Sequence, residues 1–384
     1  MAATTTMEVS YSYLKSQFAP NSALAQDILR DIADELARSG FTLGPWVDRF
    51  EAAICDTYGV KNCVGLNSGT DALFLGLKVM GVGPGDSVAT IPNTFVATVA
   101  AIVAVGATPL LVDIGDDYLM DLSQPALSSV KTAIPVFLTG LAKPSSKWTN
   151  TLNDATQAFG AEYEGHGVAA YPNMSAFSLH PLKNLNVWGD GGFVTTNNDG
   201  YASDLRLLRN HGLIDRDTAV MPGYNSRLDS IQAIVACHVL KEIDWIIERR
   251  VVNAKRYDDG LRGCPGVTFP ARDPLAKQVY HTYVVTVDDR ENLQEFLSQR
   301  GVQTKIHYPT PVHLTPGYRY LGYKAGDFPV CEAQATRILS LPIHQYVTEQ
   351  QIDWVIESIR SFYEKSETAQ PVRPDPRSNN RSSA

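Results

Sequence analysis

Between Cys63 and Val112, short apolar runs take turns with helical ones, and this alternation limits the fold more than any other feature. Cys63–Leu66 reads as a strand and Ala72–Met80 as a helix; Val88–Ile91, Thr94–Val105 and Thr108–Val112 then read as strand, helix and strand. Strands separated by helices predict an α/β architecture, a mostly parallel sheet with helices on its faces. Ile134–Leu138 continues the pattern, and the apolar pieces Ala176–Leu179 and Phe193–Thr196 flank a loop. Ser22–Arg38, Trp46–Tyr58, Tyr201–Arg209 and Ser230–Arg256 carry apolar residues at helical spacing. After a composition shift at Gly260–Pro274, Tyr280–Val287 and Val302–His307 read as strands, and Glu291–Arg300 and Glu349–Tyr363 as helices. This predicts a large α/β domain over residues 1–250, a smaller C-terminal one over 251–366, and a disordered tail over 367–384, where little is apolar.

Composition narrows the function. A chain of 384 residues can bury a sizeable core, and 19% charged against 44% hydrophobic residues fits a globular enzyme. The net charge of −8 argues against nucleic acid as a partner, so any anion site must be local. Five cysteines are scattered without a CxxC pair, which predicts reduced thiols, no metal cluster and a cytoplasmic setting. No stretch has the length of a membrane span, and Met1–Tyr11 lacks a basic-then-apolar signal pattern.

Four features need one explanation. Asn67-Ser68-Gly69-Thr70-Asp71 stands between a strand and a helix, where free backbone N–H groups and the helix dipole favour an anion. Asp154 follows a short strand, with Gln157 three residues later. Ser178 and Lys183 lie five residues apart in a loop closed by Gly189-Asp190-Gly191-Gly192. A lysine held that way can be desolvated, which frees its lone pair for attack on a carbonyl. The fourth is Gly223-Tyr224-Asn225-Ser226-Arg227. Taken singly, each has a plainer reading: a helix cap, a surface lysine, a structural turn. Together they suit pyridoxal 5'-phosphate, whose phosphate wants N–H and hydroxyl donors, whose aldehyde wants a lysine and whose ring nitrogen wants a carboxylate.

The motifs NSGTDAL, NDATQAFGA, FSLHPLKN with GDGGFV, and GYNSRLDSIQA, in that order, resemble the DegT/DnrJ/EryC1/StrS sugar aminotransferases, fold-type I pyridoxal-phosphate enzymes. The likeness runs from about Phe41 to His313. It implies the fold-type I architecture, a large seven-stranded-type sheet domain with a smaller C-terminal α/β domain. Lys183 would then form the internal aldimine and move the proton between the donor's Cα and the cofactor. Asp154 would pair with the pyridinium nitrogen and Gln157 lie near the 3-oxygen. Gly69, Thr70 and Ser178 would hold the phosphate, and Phe95 would stack on the ring. Asn225 would reach the phosphate of a neighbouring subunit, which implies a homodimer with shared active sites. His307, Tyr308 and His313, in KIHYPTPVH, would form the sugar-nucleotide side, while Tyr224 and Arg227 would close the loop at the dimer interface.

The implied reaction moves an amino group from L-glutamate, by way of pyridoxamine phosphate, to the keto group of a nucleotide-linked deoxy-keto-sugar. A keto-inositol aminotransferase using L-glutamine and a non-catalytic regulatory relative are the alternatives. One branch of the family is a dehydratase with histidine at the lysine position; Lys183 favours transamination here. The interval from Gly140 to Asp154 is shorter than the family's usual helix and strand require, so a bare loop is expected to lead to Asp154.

Overall fold

The computed structural model describes residues 7–144, 150–171 and 173–368. Seven strands build the large sheet region: β1 (Asn62–Leu66), β2 (Ser87–Thr90), β3 (Thr108–Leu111), β4 (Thr132–Ala133), β5 (Leu152–Asp154), β6 (Met174–Ser178) and β7 (Gly192–Thr196). They are arranged as a four-stranded sheet, β1-β7-β6-β5, and a three-stranded one, β3-β2-β4. Isolated parallel bridges, Ala133 to Thr151 and Val136 to Asp154, tie the two together. Neighbours run parallel at β2–β3, β2–β4 and β5–β6, whereas β7 is antiparallel to both β1 and β6. The strands are short and buried on both faces, as a helix-covered sheet demands.

Several elements differ from the sequence reading. The strand expected at Ile134–Leu138 forms earlier, at Thr132–Ala133, because Pro135 has no N–H to give to a ladder. The single helix expected over Ser230–Arg256 is two, Ser230–Leu240 and Ile243–Leu261. At the joint, Lys241 and Glu242 donate to the carbonyls three residues back, at His238 and Val239, which tightens the turn and ends the first helix. Val302–His307 is irregular and forms isolated bridges, Val302 to Val9 and Lys305 to Ser340, in place of a strand.

The C-terminal sheet is antiparallel, β8 (Val267–Thr268), β9 (Tyr283–Val287) and β10 (Ile338–Leu341) in that order. β10 went unread in the sequence although all four of its residues are buried. The helices Ile243–Leu261 and Glu349–Thr368 pack on this sheet through Ala254, Tyr257, Ile352 and Ile359. Val9 joins the same core, so the N-terminal segment straps across to the C-terminal part of the chain. The last helix continues to Thr368, two residues into the expected tail; the rest of that tail lies outside the described residues. Gly140–Pro144 carries no helix or strand and β5 begins at Leu152; Ser145–Thr149, between them, lie outside the described residues. Among the described residues no helix is long and apolar enough to cross a membrane.

Candidate active site

Lys183 sits where two paired strands open into a loop. The antiparallel ladder of β6 and β7 closes with Ser178 opposite Gly192, and the chain between them is held at many points. Leu179 donates to the Gly191 carbonyl at 2.8 Å, Val187 to the Leu179 carbonyl at 2.9 Å, and Lys183 to the His180 carbonyl at 2.8 Å. Two contacts come from the N-terminal strap: the Tyr13 hydroxyl donates to the Lys183 carbonyl at 2.7 Å, and Gln17 and Asn186 exchange amide bonds at 3.0 and 2.8 Å. The Lys183 side chain is half-buried, and no described residue forms an ion pair or hydrogen bond with its amine. Burial lowers its pKa to about 8, against the opposing pull of the Asp154 carboxylate. Such an amine is partly neutral near physiological pH.

The anion loop meets the lysine loop at very close range. Ser68 caps the helix Gly69–Val79, its hydroxyl accepting from the Asp71 N–H at 3.0 Å. A Cβ on Gly69 would lie 2.7 Å from the Ser178 Cβ, and one on Gly192 would lie 2.4 Å from the Ser68 carbonyl. Only bare backbone fits at these two points. Thr70 is exposed at the helix start, beside the half-buried Ser178. The Gly223–Arg227 segment packs onto the same helix end: the Ser226 hydroxyl donates to Asp71 Oδ2 at 2.7 Å, leaving Asn225 exposed. Arg227 donates to Asn210 Oδ1 at 3.2 Å, and Tyr224 packs edge-on against Phe74.

Asp154, at the end of β5, is 3% exposed and accepts three hydrogen bonds. Thr98 Oγ1 lies 2.6 Å from Oδ2; Thr156 Oγ1 and N lie 2.7 and 3.2 Å from Oδ1. Thr94 in turn shares a 2.7 Å bond with Thr98. Gln157 donates to the Tyr308 hydroxyl at 3.4 Å and keeps a buried Oε1 without a partner. Burial, and to a lesser degree the Asp154 charge, raise Tyr308, which the Gln157 bond partly offsets, to about 12. The Tyr308 ring also lies 5.9 Å from that of Phe95, which is 54% exposed just before the helix Val96–Ala104.

Thus Lys183 lies within electrostatic reach of Asp154, as does Tyr308, where Gln157 and Phe95 meet, and Gly69 abuts Ser178. His307 belongs with them: Ser340 holds its Nδ1 at 2.9 Å, and burial, with Lys183 adding, lowers its pKa to about 4. The contacts of His313 run elsewhere, to Glu332 Oε1 at 3.0 Å and edge-on to Phe328. Three participants escaped the sequence reading. Thr98 and Tyr13 show no motif that singles them out, and His281, well below its ordinary pKa through burial and the nearby Lys183, stands alone in a strand-like run. Among the described residues no group of three or more His, Cys, Asp or Glu could hold a metal.

The residues fit pyridoxal 5'-phosphate: a cradle that tolerates no side chain at Gly69 or Gly192, an unpaired lysine amine, and a buried Gln157 oxygen without a partner. Comparison with known proteins points the same way. The sequence model of the DegT/DnrJ/EryC1/StrS aminotransferase family matches residues 23–360, wider than the motif-bearing stretch. The erythromycin biosynthesis sensory transduction protein EryC1 of Saccharopolyspora erythraea is 39% identical over 87% of this chain and 96% of its own. The dTDP-3-amino-3,4,6-trideoxy-alpha-D-glucose transaminase of Streptomyces venezuelae is 37% identical over 88% and 92%. The crystal structure of S. venezuelae DesV in complex with a ketimine intermediate superimposes with a TM-score of 0.88 at 35% identity, covering 93% of this chain and 99% of that one.

Proposed function

The chain belongs to the DegT/DnrJ/EryC1/StrS aminotransferase family, pyridoxal-phosphate enzymes of fold type I, and from that premise we propose that it carries an amino group from L-glutamate to the keto carbon of a nucleotide-linked deoxy-sugar. The observation that supports this most is the unpaired, desolvated Lys183 amine within electrostatic reach of the clamped carboxylate of Asp154. When bound, the cofactor supplies an aldehyde that condenses with amines and a ring that takes up electrons.

This chain's residues do the rest. Gly69 and Thr70 N–H groups and the Ser178 hydroxyl bind the phosphate at the helix N-terminus. Asp154, fixed by Thr98 and Thr156, keeps the ring nitrogen protonated. Gln157 would lie near the ring's oxygen, and Phe95 would cover one face. Lys183, neutral in part near its pKa of about 8, would be the group that takes the proton from the donor's Cα. His307 and Tyr308 form the sugar-nucleotide side, with His313 supporting that segment from behind.

The dTDP-sugar transaminase name of the S. venezuelae relative supports the nucleotide-sugar assignment. Exposed Asn225, anchored beside the helix end by Ser226, suits a reach into a second subunit, and we include a homodimer in the cytoplasm in the proposal. The division near residue 250 belongs to it too, supported by the separate C-terminal core.

The test is spectroscopic. Purified protein should be yellow, should bleach with L-glutamate, and should regain colour with a keto-sugar nucleotide that gains an amine by mass spectrometry. A panel including keto-inositols and L-glutamine decides the substrates; a coloured protein that responds to no donor would overturn the reading.

A further inference from the structure

The outer edge of β1 is finished by side chains where another strand would otherwise lie. β1 is the end strand of its four-stranded sheet, so the N–H and C=O groups along its free side need partners from outside the ladder. At the buried Gly65 both are taken by one ion pair. Glu51, on the helix Pro45–Tyr58, accepts from the Gly65 N–H at 2.8 Å through Oε1. Arg209, which caps the helix Asp199–Leu208, donates through Nη1 to that same carboxylate oxygen and, at 2.8 Å, to the Gly65 carbonyl. Glu51 is 8% exposed and Arg209 7%. Two residues earlier on β1, Arg206 donates to the Cys63 carbonyl at 3.2 Å.

The line of contacts runs on from Gly65 to the cradle. Leu66 forms an antiparallel bridge with Arg227, and the Asn67 N–H donates to Ser226 Oγ at 3.5 Å. That hydroxyl donates in turn to Asp71, in the first turn of the helix that Ser68 caps. Ser226 is itself held by Arg209, whose carbonyl accepts its N–H at 2.9 Å. Arg209 thus grips the cradle strand with its side chain and the Gly223–Arg227 segment with its backbone. The cradle has no slack to absorb a displacement: a Cβ at Gly69 would meet Ser178, and one at Gly192 would meet the Ser68 carbonyl. Movement at Gly65 is therefore passed on to Ser68 and Gly69.

A buried ion pair is a poor device for stability alone, because apolar side chains of similar volume serve as well without desolvating two charges. What the pair offers here is direction, one acceptor and one donor fixed on the two polar groups of a single residue. We propose that Glu51 and Arg209 are positioning residues of the cradle, setting through Gly65 where the Gly69 and Thr70 N–H groups lie. This rests on the reading of the cradle as a phosphate site, and the experiment separates the two.

Apoprotein is titrated, by absorbance, with pyridoxal 5'-phosphate and with pyridoxal, which has the ring and the aldehyde but no phosphate. In the unsubstituted protein the phosphate should tighten binding by about a hundredfold or more, as two or more hydrogen bonds to a charged group would. Equal binding of the two, or uptake of neither, would overturn the phosphate reading and the proposal with it. Glu51→Gln and Arg209→Met should raise the Kd for pyridoxal 5'-phosphate about tenfold or more, the loss of one such bond, and leave that for pyridoxal within about twofold. Arg209→Lys, which keeps a charged donor, should recover part of the loss. Glu51→Leu combined with Arg209→Met leaves no unpaired charge buried and guards against a single variant that fails to fold; with an intact thermal melt it should show the same selective loss. If the Kd for pyridoxal rises by the same factor, the pair supports only the fold, and if folded variants keep both Kd values, it has no part in the cradle. Either result refutes the proposal.

Discussion

The helix-end cradle and the segment from Val302 to His313 have proposed roles around the same lysine, yet they are built differently. In the cradle, backbone meets backbone: Gly69 against Ser178, and Gly192 against the Ser68 carbonyl, with no room for a methyl group. The position of every donor there follows from strand ends and a helix start. In the other region the chain is irregular, and side chains are placed one at a time, His307 by Ser340, Tyr308 by Gln157, His313 by Glu332. On the proposed roles, a cofactor phosphate that does not change with the substrate suits a rigid backbone site, whereas side chains on irregular backbone can be exchanged to suit a substrate without disturbing the sheet.

The proposed roles of both regions meet at Lys183, so its loss should be the largest effect. Lys183→Ala is expected to lower amine transfer more than about 10³-fold while the thermal melt stays intact, since a positioned proton carrier is removed without a cavity in the core. Borohydride treatment and peptide mapping of the unsubstituted holoenzyme should find the modification at Lys183; its absence there would remove the common point of the two regions.

The contrast itself breaks if cradle and segment respond alike. Gly69→Ala forces a Cβ to 2.7 Å from that of Ser178; overpacking of this kind costs about 1–3 kcal/mol. It should weaken cofactor uptake by apoprotein, read by absorbance titration, by about tenfold or more. His307→Asn should leave that titration unchanged and raise KM for the keto-substrate.

Within the second region, His313→Ala separates support from contact. The ring is 1% exposed and bonded to Glu332, so its removal should cost about 1–3 kcal/mol of stability, read as a lower Tm, with KM nearly constant. A raised KM at unchanged Tm would place His313 against substrate.

The smallest expected effect is in pH. Lys183 titrates near 8 in the folded apoprotein and near 10.5 when exposed. Between those values the unfolded chain binds more protons, so stability should rise with pH across that window. Below pH 8 both states are protonated, and the full penalty of the buried charge remains. The Tm of apoprotein relative to Lys183→Met should therefore climb from about pH 8 toward 10.5; a flat difference would mean that the amine is not desolvated.

Much of this was readable in the residues. The strand–loop–helix at Leu66–Ala72 and the pair Ser178 and Lys183 between two strands follow from local pattern, because the groups that cooperate are near neighbours along the chain. The alternation of apolar runs likewise determined the α/β class and the succession of strands and helices from Cys63 to Val112. What lay beyond the sequence depends on distant pairs. Thr98 reaches Asp154 across 56 positions, Tyr13 reaches Lys183 across 170, and Val9 enters a core made after residue 250. The helix break at Lys241 hides inside an unbroken apolar pattern. Periodicity reports which face of an element is apolar, but not which other element will cover it; that was decided only by packing.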